Sequence, residues 1–123
     1  MTSSTEKYSI KLQIINEDHI AMGPGKADLL EAIQKTGSIA AAGRAMTMSY
    51  KRAWDLVEIM NMCFTEPLVK KSKGGIKKGG TTLTPLGLKV IDQYRALEVK
   101  SNGASKKEMN TFFSLLKHPP LDK

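Results

Sequence analysis

Between Arg44 and Gly80 the chain carries eight cations, Arg44, Lys51, Arg52, Lys70, Lys71, Lys73, Lys77 and Lys78, against three acids, Asp55, Glu58 and Glu66. Two ring-bearing residues, Tyr50 and Trp54, flank Lys51 and Arg52. Lysine and arginine neutralise phosphates and donate to base edges, and aromatic rings pack on methyl groups and sugars. The whole chain of 123 residues has 19 Lys and Arg against 12 Asp and Glu, a net charge of +7, so this one stretch supplies five of the seven surplus charges. That concentration, more than the overall basicity, points to a polyanionic partner.

Other chemistries find little support. His19 and His118 lie near opposite ends, Cys63 is the lone cysteine, and no carboxylate pair stands in a recognisable catalytic arrangement. The glycine pairs lack the Lys-Ser/Thr that completes a phosphate loop. The expectation is therefore no enzyme, no metal and no cofactor. Cys63, between Met62 and Phe64, reads as a small buried hydrophobe, the alternative being a reactive thiol. Residues 1–7 are polar, without the apolar core of a secretory signal, and no apolar run approaches the roughly 20 residues that cross a bilayer. A cytoplasmic protein with no membrane partner is expected.

The elements that must position the cations follow from periodicity and punctuation. Tyr8, Ile10, Leu12 and Ile14 alternate with polar residues, predicting a strand over residues 8–14, and Asn16, Glu17 and Asp18 supply a turn after it. Gly23, Pro24 and Gly25 break the chain and open a helix. A helix over residues 28–36 ends at Gly37. Ser38 caps an alanine-rich helix over residues 39–46, and Ser49 caps a third that runs to about Asn61. Residues 68–71 and 81–83 read as strands around the lysine- and glycine-rich residues 74–80. Thr84 and Pro85 open a helix with Leu86, Val90, Tyr94 and Leu97 on one face. Residues 100–105 are a linker by composition, and residues 105–117 form a last helix with Met109, Phe112, Phe113 and Leu116 at helical spacing.

This order defines a mainly helical α+β fold, a winged helix-turn-helix with an N-terminal strand, a three-helix core, a β-hairpin wing and C-terminal helices. Its parts are a flexible segment 1–7, the winged domain 8–99, and a linker and helix 100–123 that would join two chains or fold back on their own core. On the third helix Ala53, Leu56, Val57 and Met60 share the core face, leaving Tyr50, Lys51 and Trp54 on the other with Arg52 at the flank. That end suits a major groove, with Trp54 in the core as the alternative. The free amides after Ser38 form a natural phosphate seat. The wing lysines repel one another until a polyanion neutralises them, unless they are simply solvated. Gly43, inside the second helix, loosens it by roughly 1 kcal/mol relative to alanine.

The run from Gly37 to Gly43, then Met48 to Asp55, Met60-Asn61, Glu66 to Val69, the paired glycines 74–75 and 79–80, and Leu83 to Gly87 resemble the N-terminal DNA-binding domain of the molybdate-responsive ModE regulators. The LysR-type helix-turn-helix shares the looser cadence. The resemblance spans about residues 20–97. It implies a dimeric transcriptional regulator of double-stranded DNA, with Ser49, Tyr50, Lys51 and Trp54 in the reading helix and residues 74–80 as wing. Because the sequence stops at Lys123, it looks like a single-domain form lacking the molybdate-binding domains. A winged helix used for protein or RNA contacts is the alternative.

Overall fold

The computed structural model describes residues 9–71 and 80–117. Lys73, Lys77, Lys78 and the glycines 74, 75 and 79 of the expected wing lie outside them, as do Tyr8 and His118. The elements are β1 (Ile14–Asn16), β2 (His19–Met22), α1 (Pro24–Thr36), α2 (Ile39–Ala45), α3 (Tyr50–Cys63), β3 (Val69–Lys71), β4 (Thr81–Leu83), α4 (Pro85–Ala104) and α5 (Lys106–Ser114). The strands form two separate antiparallel pairs, β1 with β2 and β3 with β4. No helix among the described residues is long and apolar enough to cross a membrane.

Local chemistry starts and stops most helices where expected. Gly37 ends α1 in the left-handed region, at φ 77°, and its amide donates to the Ile33 carbonyl. The hydroxyls of Ser38, Ser49 and Thr84 accept from the amides of Ala41, Arg52 and Gly87, capping α2, α3 and α4. Each such cap contributes about 1 kcal/mol. α1 begins at Pro24, earlier than the apolar spacing suggested, because proline at the first helical position has no amide to leave unpaired.

The core gathers one face from each of α1 to α4. Leu29, Leu30 and Ile33 of α1 pack with Ile39 and Ala42 of α2, Ala53, Val57 and Met60 of α3, and Ile91 and Tyr94 of α4. Leu68 and Val69 seal it from the wing side, and Met22 from the N-terminal hairpin. Arg95 fastens α4 to α1: its guanidinium donates to both Glu31 oxygens (2.9 and 3.1 Å), to Asp28 (2.6 Å) and, within α4, to Glu98 (3.0 Å). These bonds hold the Glu31 carboxyl below its ordinary value, and the same bonds, against the opposing cost of burial, raise the guanidinium further above its own.

Two expectations are corrected. The strand predicted over residues 8–14 is displaced: residues 9–13 form no strand, and pairing begins only at Ile14. The turn is where Asn16, Glu17 and Asp18 put it, with Glu17 at φ 57°, but the pairing extends from it into β2, with Ile15 opposite Ile20. Among the described residues the earlier alternation has no partner strand. Ile10 is exposed, and the segment is held instead by the Tyr94 hydroxyl, which donates to the Leu12 carbonyl at 2.6 Å. Burial, with Glu98 nearby, pushes that phenol up to about 12, so it remains a donor.

The linker expected over residues 100–105 is also corrected, because α4 continues to Ala104. Small polar residues fail to nucleate a helix but readily extend one already formed. The Ser105 hydroxyl and amide both bond the Ser101 carbonyl and close the last turn.

Candidate nucleic-acid interface

The helix-turn-helix is α2 and α3, and their close crossing depends on Gly43. A Cβ there would lie 3.2 Å from the Cβ of Ala53 and 3.4 Å from the Met48 carbonyl oxygen. The expected loosening by Gly43 therefore has a packing reason, since any side chain would push α3 away. The turn between the helices holds Thr47 at φ 54°, a conformation that costs a β-branched residue free energy.

The wing is tied to this pair by backbone and amide bonds. The Asn61 side-chain oxygen accepts the Leu68 amide at 2.8 Å and the Val69 amide at 3.3 Å, while its nitrogen donates to the Val69 carbonyl at 3.4 Å. The Thr81 amide donates to the Gly37 carbonyl at 2.9 Å, linking β4 to the end of α1. Thr84 donates through its hydroxyl to the Pro67 carbonyl at 2.8 Å and through its amide to the Leu68 carbonyl at 2.9 Å. These contacts fix β3 and β4 beside α3.

Between these elements lies a groove of about 250 Å³. Tyr50 and Trp54 of α3 line it with Ser38 at the head of α2, and Lys70 and Lys71 of β3 line it with Thr81 of β4. The rings of Tyr50 and Trp54 stack with centroids 6.5 Å apart and planes 16° from parallel. Tyr50 is 59% exposed, whereas Trp54 is half-buried against the core. Trp54 packs against the core and also lines the groove beside Tyr50. The arrangement brings two lysines and a ring surface to one groove, a pairing suited to a polyanion with flat, methyl-bearing edges.

Among the described residues, Arg44, Ser49, Lys51 and Arg52 lie outside the groove lining. Lys51 is exposed and pairs with Asp55 at 3.2 Å, one turn along α3. Surface pairs of this kind hold a side chain weakly. Arg44 and Arg52 are exposed. Burial, and after it the Arg52 cation, hold the Lys26 ammonium of α1 below its ordinary value. Ser49 is engaged as the α3 cap, and the Ser38 oxygen accepts from Ala41. Asn61, Thr81 and Thr84 were missed as positioning residues. Asn61 is a polar residue one position from the buried Met60, and that signal was available. Among the described residues no group of three or more potential ligands is placed to hold a metal ion.

Three crossing helices followed by a two-stranded wing define a winged helix-turn-helix. The solved structure of the CbnR DNA-binding domain in complex with DNA superposes with a TM-score of 0.54 at 17% identity, over 71% of this chain and 95% of that one. A LysR family transcriptional regulator gives a TM-score of 0.51 at 17% identity, over 76% of this chain and 30% of that one. In sequence the chain is similar to the ModE group. It is 37% identical over 98 residues to the molybdenum transport protein ModE of Azotobacter vinelandii, covering 80% of this chain and 36% of the relative. It is 48% identical over 77 residues to the molybdenum-pterin-binding protein MopB of Rhodobacter capsulatus, covering 63% and 28%. The transcriptional regulator ModE of Haemophilus influenzae is 37% identical over 89 residues, covering 72% and 35%. The chain thus spans about a third of the length of these relatives. No family model matches it.

Proposed function

We propose that this chain is a sequence-specific double-stranded DNA-binding module of a transcriptional regulator, acting as a homodimer in the cytoplasm. The N-terminal half of α3 enters the major groove, where Tyr50, Lys51 and Trp54 meet base edges and thymine methyls. Lys70 and Lys71, with Lys73, Lys77 and Lys78 beyond the described residues, neutralise the phosphate backbone alongside. Ser38, Arg44, Ser49 and Arg52 flank the reading end and contribute backbone contacts that fix its register.

One observation carries this reading: the stacked rings of α3 and the first two wing lysines line the same groove. A helix and wing diverging from each other would not engage one duplex. Names of relatives that regulate transcription support the same reading. The molybdenum in several of those names belongs to proteins about three times as long, and no oxyanion site is proposed for this chain.

Site selection from a random duplex library tests the proposal. Enrichment of a two-fold-symmetric motif supports DNA reading and dimerisation together. Equal retention of all duplexes, or preference for single-stranded RNA, refutes it.

A further inference from the structure

We propose that Asp55 reads a base: together with Lys51 it matches one G·C pair in the major groove, the carboxylate accepting from cytosine N4 and the ammonium donating to guanine. The inference deepens the DNA reading proposed above and rests on it.

Helix geometry sets this pair on the face that meets a duplex. Ala53, Val57 and Met60 turn one side of α3 into the core. Lys51 and Asp55 each follow a groove ring, Tyr50 and Trp54, by one position, a rotation of about 100° further from that side. Their side chains are 82% and 47% exposed. The strip beside the rings therefore carries an ion pair instead of a run of cations.

The order of the two charges does not serve the helix. A cation in the first turn opposes the helix dipole, and a lysine four residues ahead of an acid is the weaker of the two orientations. α3 has no acid in its first turn, where Lys51 stands, and Asp55 follows one turn on. Asp55 also turns negative charge toward a polyanion. That costs affinity for every duplex unless the carboxylate, an acceptor only, meets a donor.

The major groove offers such donors at cytosine N4 and adenine N6. The Lys51 ammonium donates to both Asp55 oxygens, at 3.2 and 3.4 Å, so a donor and an acceptor stand one hydrogen bond apart. Guanine O6 and cytosine N4 are also one hydrogen bond apart, as acceptor and donor in complementary order. A carboxylate accepts about four hydrogen bonds, so Asp55 can hold Lys51 and cytosine together. Flanking atoms then select the base pair. Beside O6 lies guanine N7, a second acceptor for the ammonium, and beside N4 only a C–H. In A·T, adenine N7 faces the carboxylate and the thymine methyl faces the ammonium, so both flanks are wrong.

Site selection from a random duplex library, run in parallel on wild type, Asp55→Ala, Asp55→Asn and Glu58→Gln, tests the assignment. Circular dichroism verifies that each variant folds. The wild-type motif is expected to hold a G·C pair whose identity Asp55→Ala relaxes by on the order of tenfold, with the other positions kept. Asp55→Asn moves that cytosine toward adenine, which an amide pairs through N6 and N7. Glu58→Gln, at an exposed position further along α3, tightens all duplexes alike and keeps the motif. A wild-type motif unchanged in Asp55→Ala, even with tighter binding throughout, reduces Asp55 to charge repulsion and overturns the assignment. A motif without a G·C pair, or a Glu58→Gln variant that relaxes the same position, overturns it as well. A wild type that selects no motif refutes the proposed DNA reading and this inference with it, whereas a motif that survives Asp55→Ala refutes this inference alone.

Discussion

The side-chain oxygen of Asn61, near the end of α3, accepts the amide of Leu68 at 2.8 Å and thereby sets where the wing leaves the helix. The same side chain also bonds both backbone groups of Val69, so the first strand of the wing is registered against the reading helix as well as against β4. Leu68 and Val69 are both buried, so these amides have no water to fall back on.

Asn61→Ala should therefore cost about 1–3 kcal/mol through unsatisfied buried amides. Urea unfolding measures that loss. Duplex affinity should fall further than stability explains, because the wing then loses its fixed angle to α3, and anisotropy titration on labelled duplex reads the difference.

Tyr50 and Trp54 should separate reading from folding. Tyr50→Ala leaves the unfolding midpoint nearly unchanged and relaxes the preference for a selected site by about 1–3 kcal/mol per lost base contact. Trp54→Ala does both, since Trp54 packs on the core as well as on Tyr50. Competition between selected and scrambled duplexes measures the first effect and thermal melting the second.

Lys70→Ala and Lys71→Ala should weaken all duplexes alike. Each removed phosphate contact lowers the slope of log affinity against log salt by about 1. Lys77→Ala with Lys78→Ala should act in the same sense. Unchanged salt slopes would take the wing out of the interface.

Gly87→Ala and Gly103→Ala should have opposite signs. A Cβ on Gly87 would run into the Leu68 carbonyl, and backbone must move to admit it, whereas a Cβ on Gly103 meets nothing. The first is expected to destabilise by more than about 2 kcal/mol, in the range of overpacked cores. The second should stabilise by roughly 0.5–1 kcal/mol, since alanine suits a helix interior better than glycine. Denaturant midpoints of the two variants provide the check.

Acid should loosen the joint between α1 and α4. Arg95 holds the Glu31 carboxyl below its unfolded value, so this contribution is complete above the ordinary carboxylate range and fades as pH falls through the lowered value. Glu31→Gln should flatten the acid limb of stability against pH. The effect is modest because the pair is partly solvated, and urea midpoints between acid and neutral pH record it.

Much of the fold was legible in short-range chemistry. Ser38, Ser49 and Thr84 cap the helices they were assigned, and Gly37 takes the left-handed turn, because a cap needs only its own few neighbours. The strand over residues 8–14 was misplaced because alternation marks a face without naming a partner, and β2 and Tyr94 decided what that segment meets. The linker over residues 100–105 became helix because α4 was already nucleated upstream. Lys70 and Lys71 were found together with Tyr50 and Trp54, whereas Arg52, two positions from each ring along α3, does not line the groove; two positions along a helix are a rotation of about 200°.

The sequence by itself determined the helices, their caps, the apolar faces and the crowding of positive charge into one stretch, since each depends on residues close along the chain. Only the tertiary structure decided that the rings of α3 and the lysines of β3 border the same groove. That convergence depends on contacts between distant segments: Asn61 to Leu68, Thr81 to Gly37, and the bare backbone of Gly43 beneath Ala53. No periodicity encodes which backbone group a side-chain amide will find, because that partner is chosen by the packing of the whole core.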